Sequence, residues 1–198
     1  MIIIKKHLFL VGPSGCGKST MIKNVLGDRL MYAGGFITER VLDDEGKLLG
    51  YDLLPAAAAG GVQGFDSLRF LDYTVEPPVH NNEIFRVQGA EILNEAQYYP
   101  FSLIDEFGGF ELVIPQFRKA LEDFLNLDQP IIGVLKDFKN ADQLRQHINL
   151  GDRYMILLEN MHRVLAEDPD TQIVKVHGKN DILALKKVQK WAEEYARS

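Results

Sequence analysis

Residues 12–20 restrict the fold of this chain more than any other segment. They read Gly-Pro-Ser-Gly-Cys-Gly-Lys-Ser-Thr and directly follow the apolar run His7–Val11. The pattern G-x-x-x-x-G-K-[ST], placed between a strand and a helix, is typical of a phosphate-binding loop. Its glycines let successive backbone N–H groups point into one concavity, and the N-terminus of the next helix adds partial positive charge. The segment is therefore predicted to bind the phosphates of a nucleotide through Gly12, Pro13, Ser14, Gly15, Cys16, Gly17, Lys18, Ser19 and Thr20.

Two carboxylates after a later apolar run complete the predicted site. In such loops the Lys, here Lys18, reaches the β- and γ-phosphates, and the hydroxyl of the next residue, Ser19, ligates Mg²⁺. The run 101–104 ends in Asp105 and Glu106. We expect its strand to lie beside the strand of the phosphate loop, so that Asp105 joins the Mg²⁺ shell through a bound water. Glu106 is then placed to polarise the water that attacks the γ-phosphate.

Composition excludes several classes of partner. The net charge is −6 and no block of Lys and Arg occurs, which argues against nucleic acid. No apolar stretch approaches the roughly 18 residues of a membrane span. The N-terminal apolar run leads into the phosphate loop without a cleavage site, and Cys16 is the single cysteine. A cytoplasmic protein that binds ATP or another nucleoside triphosphate is expected, and the sequence does not identify a protein partner.

The order of apolar and amphipathic segments predicts an α/β fold. Apolar strands that alternate with amphipathic helices indicate one domain over residues 1–198, with a mostly parallel central sheet and helices on both faces. A β-hairpin is predicted around the acidic turn 43–46, and residues 55–82 are expected to be an irregular flap with one short strand around 68–75. Further strands are predicted at 84–87, 100–105, 130–135, 154–158 and 173–176, and helices at 18–30, 90–97, 115–127, 141–148, 161–166 and 181–196.

The segment that follows the two carboxylates resembles a known family. Residues 105–112, Asp-Glu-Phe-Gly-Gly-Phe-Glu-Leu, resemble the D-E-[IF]-G-x-[MF]-E-L signature of a small nucleoside-triphosphatase family first described from thermophiles. The hairpin, from Gly35-Phe36-Ile37-Thr38 to Gly50-Tyr51, is similar to a second segment of that family. The resemblance implies a three-layer P-loop NTPase fold and slow, Mg²⁺-dependent hydrolysis of several nucleotides with loose base choice. It also implies that Glu106 is the activating base and that Glu111 is an active-site or structural acid.

The chain departs from the family pattern at positions that bear on activity. Leu42 stands where the family has an arginine, and Arg40, two residues earlier on the same strand face, is the candidate replacement. Gly109 stands where a basic residue is usual, and Lys136 where the family tends to have His. Lys136 follows an apolar strand and is a candidate sensor of the γ-phosphate.

Three functions remain open at this point. The first is a nucleoside triphosphatase. The second is a kinase for a small acceptor, with residues 55–82 closing over it to exclude water. Such kinases place phosphate-binding arginines near strand ends, and Arg145, Arg153 and Arg163 are candidates. The third is a nucleotide-binding switch or partner-docking module with little turnover, because Leu42 offers no donor and Gly109 lacks the usual basic side chain. No N-K-x-D motif supports specificity for GTP.

Overall fold

The computed structural model describes residues 4–197, in which eight strands form one sheet. The strands are β1 (His7–Val11), β2 (Ala33–Leu42), β3 (Leu48–Pro55), β4 (Leu68–Asp72), β5 (Val79–His80), β6 (Phe101–Phe107), β7 (Ile131–Leu135) and β8 (Thr171–Lys175). Their order across the sheet is β5-β4-β3-β2-β6-β7-β1-β8. Strands β2, β6, β7, β1 and β8 are parallel to one another, and β3, β4 and β5 extend the sheet in antiparallel fashion. The predicted mostly parallel sheet with a β-hairpin, β2–β3, is confirmed.

Helices cover both faces of the sheet, as predicted. They are α1 (Lys18–Leu26), α2 (Asn82–Ile84), α3 (Ala90–Glu95), α4 (Pro115–Leu125), α5 (Phe138–His147), α6 (Arg153–Glu167) and α7 (Ile182–Tyr195). Because side chains alternate along a strand, Phe9 of β1 packs in one core and its neighbours Leu8 and Leu10 in the other. The first core contains α3 to α6, and the second contains α1 and α7. The fold therefore has three layers.

Two predictions about individual elements and one about strand order are wrong. Residues 154–158 are not a strand but the first half of α6, and the helix predicted at 161–166 is its second half. Tyr154, Leu158 and Leu165 are buried along one face of this helix. The run Tyr-Met-Ile-Leu-Leu is apolar throughout, so periodicity could not separate a buried strand from a helix. Residues 84–87 belong to a helical segment, in which a π-helical turn, Phe85–Gly89, joins α2 to α3.

The third error concerns strand order. Strand β6 does not lie beside β1, because β7 lies between them and pairs with both. The short strand expected around 68–75 is present as β4. The segment 55–82 also contains two elements that were not expected, a 3₁₀ turn at Ala56–Gly60 and the strand β5, which pairs with β4.

Helix length bears on membrane insertion. Among the helices within residues 4–197, none combines the length and the apolar character needed to cross a membrane.

Candidate active site

The phosphate loop connects the end of β1 to the start of α1. Gly17 caps the N-terminus of α1 in the left-handed region, at φ 91°, where a residue with a side chain would be strained. A Cβ atom at Gly12 would lie 2.3 Å from the carbonyl oxygen of Val176, so the loop can approach the end of β8 only with glycine there. The glycines that identify the motif are therefore required by backbone conformation and by close packing.

Lys18 lies under this loop and is buried. Its Nζ donates hydrogen bonds to the carbonyl oxygens of Gly12 and Pro13, each at 2.7 Å. These two contacts hold the ammonium group inside the curve of the loop. The positive charge is thus held against the backbone carbonyls at the start of the loop.

Ser19 and Asp105 meet although 86 residues separate them in the sequence. The Ser19 hydroxyl donates to Oδ1 of Asp105 at 2.5 Å, and Nζ of Lys23 lies 3.8 Å from Oδ2. Asp105 is only 3% exposed. Burial raises the pKa of Asp105 to about 6, although the Ser19 hydrogen bond and the charge of Lys23 act to lower it. Burial thus disfavours the charged form of this carboxylate, and groups whose pKa is shifted in this way are common at functional sites.

The donor set of this pair fits Mg²⁺. Both groups are oxygen donors that meet at one point of the site, and a bound ion would take the place of the hydrogen bond between them, with Asp105 reached through a bound water. No cluster of three or more His, Cys, Asp or Glu side chains suited to a metal occurs in residues 4–197. Mg²⁺ needs no such cluster, because it usually keeps several waters and uses one or two protein ligands together with substrate phosphates.

Glu106 points into the same cleft because the strand that carries it is irregular. The register of β6 against β7 shifts between Ile104 and Phe107, and Glu106 has φ 60°. A left-handed conformation at a non-glycine residue is costly and concentrates at functional sites. The Glu106 carboxylate accepts a hydrogen bond from Nζ of Lys136 at 3.0 Å and its side chain is 37% exposed.

Glu111 supports the turn that follows Glu106. Its Oε1 accepts hydrogen bonds from the backbone N–H groups of Gly108 and Gly109, each at 2.7 Å. Burial raises the pKa of Glu111, and these backbone donors act in the opposite direction. The hydroxyl of Tyr154 donates to the carbonyl oxygen of Gly108 at 2.9 Å, which fixes the turn from the other side. A Cβ at Gly109 would lie 2.6 Å from Oε2 of Glu111, so a side chain there would require Glu111 to move.

The nucleotide cleft, a cavity of about 810 Å³, joins these groups at the carboxyl ends of the parallel strands. Of the predicted site residues it is lined by Ser14, Gly15, Gly17, Lys18, Ser19, Thr20, Arg40, Asp105 and Glu106. Leu42 does not line it and is 52% exposed at the end of β2. Neither Arg145 nor Arg163 lines it, because each pairs with nearby carboxylates on the surface.

One wall of the nucleotide cleft was not predicted from the sequence. It is formed by the segment after β8 and the first turns of α7, through Lys179, Asn180, Asp181, Ile182 and Leu185. The side chain of Lys179 approaches to 3.4 Å of the position that a Cβ on Gly17 would take. No motif marks this wall. The available signal was its place after the last strand of a parallel sheet, because the ends of such strands share one edge.

The sequence is similar to a known family and to several of its members. A sequence model of a family described as NTPase matches residues 7–169. A nucleoside-triphosphatase THEP1 of Thermotoga sp. (strain RQ2) is 28% identical over 158 residues, which cover 79% of this chain and 88% of that protein. A nucleoside-triphosphatase THEP1 of Thermococcus kodakarensis is 29% identical over 162 residues, 78% of this chain and 87% of that protein.

The chain is also similar in sequence to a mouse protein and in fold to a solved structure. The mouse cancer-related nucleoside-triphosphatase homolog is 29% identical over 140 residues, 62% of this chain and 70% of that protein. The crystal structure of THEP1 from Aquifex aeolicus has the same fold, with a TM-score of 0.59 and 16% identity over 95% of this chain and 99% of that one.

Proposed function

The chain belongs to the NTPase family, and we propose that it hydrolyses nucleoside triphosphates in a reaction that depends on Mg²⁺ and has loose base preference. The products are the nucleoside diphosphate and inorganic phosphate. The observation that carries this proposal is the contact between Ser19 and Asp105 at 2.5 Å, with Lys18 and Glu106 lining the same cleft. Phosphoryl transfer needs these parts: a phosphate cradle, a held metal and a group that positions the nucleophile.

Each part has a distinct role in the proposed reaction. The loop N–H groups and Lys18 bind the phosphates, and Lys18 exchanges its two carbonyl contacts for phosphate oxygens. Ser19 and Asp105 would hold Mg²⁺, which when bound neutralises charge on the β- and γ-phosphates. Glu106 orients a water and accepts its proton, while Lys136 keeps that carboxylate in position through its 3.0 Å contact. Arg40, the candidate for the family arginine that Leu42 lacks, lies in the cleft where negative charge develops.

Loose base preference is supported by the wall after β8. Ile182 and Leu185 offer apolar surface to any base, and Asn180 is the side-chain amide beside them. Apolar contact discriminates weakly between bases of similar shape. An apolar wall has few polar groups that a mismatched base would leave without a hydrogen-bond partner. We propose that residues 1–198 form one catalytic domain and that the segment 55–82 borders the site as a flap. Cys16, a free thiol near the Val176 carbonyl, suits a reducing cytoplasm.

Phosphate release from ATP, GTP, CTP and UTP tests this proposal. We expect release with Mg²⁺, no release with excess EDTA, and rates for the four nucleotides within about tenfold of one another. Lys18→Ala should lower the rate at least about 100-fold, because the positive charge that contacts the transferring phosphate is lost. Lys187→Ala, on the exposed surface of α7, is the control and should leave the rate unchanged. Absence of Mg²⁺-dependent release from the wild type would contradict the proposal.

A further inference from the structure

A second, smaller cavity opens from the nucleotide cleft at Glu106. Its volume is about 150 Å³, and it shares Ser14, Thr38, Arg40, Tyr51 and Glu106 with the nucleotide cleft. Neither Lys18, Ser19 nor Asp105 lines it. It therefore lies beyond Glu106, away from Lys18 and the proposed metal ligands, and it borders the phosphate loop only at Ser14. We call it the aromatic cavity.

Part of the wall of the aromatic cavity consists of ring faces and edges, and the rest includes the polar side chains of Arg40, Glu111 and Lys136. Phe70, Phe85 and Phe110 pack against one another, with ring centroids 4.9 Å, 5.5 Å and 6.1 Å apart. Tyr73 and Leu144 line the same cavity. Surfaces of this kind offer water few hydrogen-bond partners, whereas they suit an apolar ring through edge-to-face contacts.

The volume also points to an organic molecule rather than to a catalytic water. One water takes about 30 Å³ of liquid volume, whereas an engineered apolar cavity of about 150 Å³ binds benzene. Hydrolysis needs only a single water beside Glu106. The aromatic cavity has room for one six-membered ring with a small substituent.

The mouth of the aromatic cavity is charged. Glu106 and Lys136 lie there 3.0 Å apart, and Arg40 lines both cavities. A ring in the aromatic cavity would direct its substituent toward the Glu106 carboxylate and the nucleotide cleft. The substituent that a carboxylate can activate for attack on phosphorus is a hydroxyl.

We propose that the aromatic cavity binds a phosphoryl acceptor, a one-ring aromatic molecule that carries a hydroxyl group. This inference goes beyond hydrolysis and rests on the proposed nucleotide site. The acceptor oxygen forms a bond to the γ-phosphorus while the bond from that phosphorus to the β–γ bridging oxygen breaks. The hydroxyl proton passes to Glu106 and then to solvent. The products are a phosphomonoester and a nucleoside diphosphate, and water in the same position gives hydrolysis instead.

Phosphorus NMR of the reaction products tests the proposal. The full chain is incubated with ATP and Mg²⁺, alone and with benzyl alcohol, 2-phenylethanol, or hydroxymethyl derivatives of pyridine and pyrimidine. Toluene is the matched probe without a hydroxyl. At least one alcohol should give a phosphomonoester and raise ATP consumption about tenfold or more, because an acceptor held beside Glu106 reacts at high effective concentration. Toluene should bind without forming a product.

Variants locate the reaction in the aromatic cavity. Leu144→Trp on α5 fills the cavity and should lower the ratio of phosphomonoester to inorganic phosphate about tenfold or more, because the acceptor loses its space. Gln143→Trp, exposed on the same helix, should leave the ratio unchanged. If Leu144→Trp does not fold, Tyr73→Trp makes the same test from another residue that lines the cavity.

The outcomes separate this inference from the proposed function. Failure of every probe to form a phosphomonoester overturns the inference, whether or not toluene binds, and phosphate release without a probe then still supports hydrolysis. A phosphomonoester formed equally by Leu144→Trp and Tyr73→Trp also overturns it. Transfer to an alcohol without any probe-free phosphate release supports the inference and contradicts the hydrolase.

Discussion

Replacement of Asp105 by Asn should stabilise the folded protein while it removes a proposed metal ligand. Asp105 is buried at 3% exposure, and burial raises its pKa from 3.8 to about 6. Asn has the same shape, and its carbonyl oxygen can still accept the hydrogen bond from Ser19. The change therefore removes a buried charge and leaves the main contact in place.

The expected gain follows from the pKa difference. Asp105 binds its proton more tightly in the folded chain than in the unfolded one, so the stability of the wild type falls as pH rises through the range between the two pKa values. Above pH 6 the loss reaches about 3 kcal/mol at 1.36 kcal/mol per pKa unit, and at pH 4.5 it is about 1 kcal/mol. For a chain of 198 residues, about 3 kcal/mol corresponds to about 6–12 °C in Tm.

Thermal and urea unfolding in EDTA, without nucleotide, measures this gain. Asp105→Asn is compared with the wild type at pH 7.5 and at pH 4.5, and the gain should be about 2 kcal/mol smaller at the lower pH. Asp44→Asn, an exposed carboxylate in the β2–β3 turn, is the control and should change stability by less than about 0.5 kcal/mol at both values.

Two results would refute the reasoning about Asp105. If Asp105→Asn is less stable than the wild type at pH 7.5, the carboxylate is net stabilising and its burial does not raise its pKa. If the gain is the same at both pH values, it does not come from loss of a titrating group.

Three further predictions concern backbone, charge and packing. Gly35→Ala should destabilise the fold by about 3 kcal/mol or more in urea unfolding, because Gly35 has φ 80° and a Cβ would lie 2.3 Å from a backbone oxygen of β6. Gly46→Ala, at φ 81° in open space, introduces the same backbone strain without a clash and should cost only about 1 kcal/mol. Equal losses of stability in the two variants would contradict the clash at Gly35. Arg40→Ala should lower kcat for phosphate release about 10- to 100-fold without a change in Tm, whereas Arg197→Ala, exposed after α7, should not; a rate equal to the wild type would exclude Arg40 from the reaction. Trp191→Phe should cost about 1 kcal/mol in the same unfolding assay, because its indole N–H donates at 2.9 Å to a backbone carbonyl before β1; no loss would show that water replaces the bond.

The phosphate loop and its partner carboxylates could be predicted because their chemistry depends on local sequence. Gly17 and Lys18 lie in a motif whose backbone geometry is nearly fixed, and Asp105 and Glu106 end an apolar strand. The order of the strands could not be predicted, because nothing in the run 131–135 indicates that it inserts between β1 and β6. Ser19 still contacts Asp105 although β7 lies between β1 and β6, because all parallel strands end at one edge of the sheet.

Other features depend on tertiary contacts that leave no sequence pattern. The left-handed conformation of Glu106 arises from the irregular pairing of β6 with β7 and from the turn held by Glu111. The wall from Lys179 to Leu185 has an ordinary loop-and-helix sequence. The aromatic cavity draws residues from four strands, β2, β3, β4 and β6, from α5 and from the turns between elements, so it appears only when the fold is assembled.

We propose that Glu106 activates the nucleophile that attacks the γ-phosphate of a nucleotide held by the phosphate loop. The most direct measurement is phosphate release and nucleotide affinity in the same samples of wild type and Glu106→Gln. The account predicts that release falls about 100-fold or more, because Gln cannot accept the proton, while affinity stays within about threefold. Release by Glu106→Gln at the wild-type rate would contradict the account.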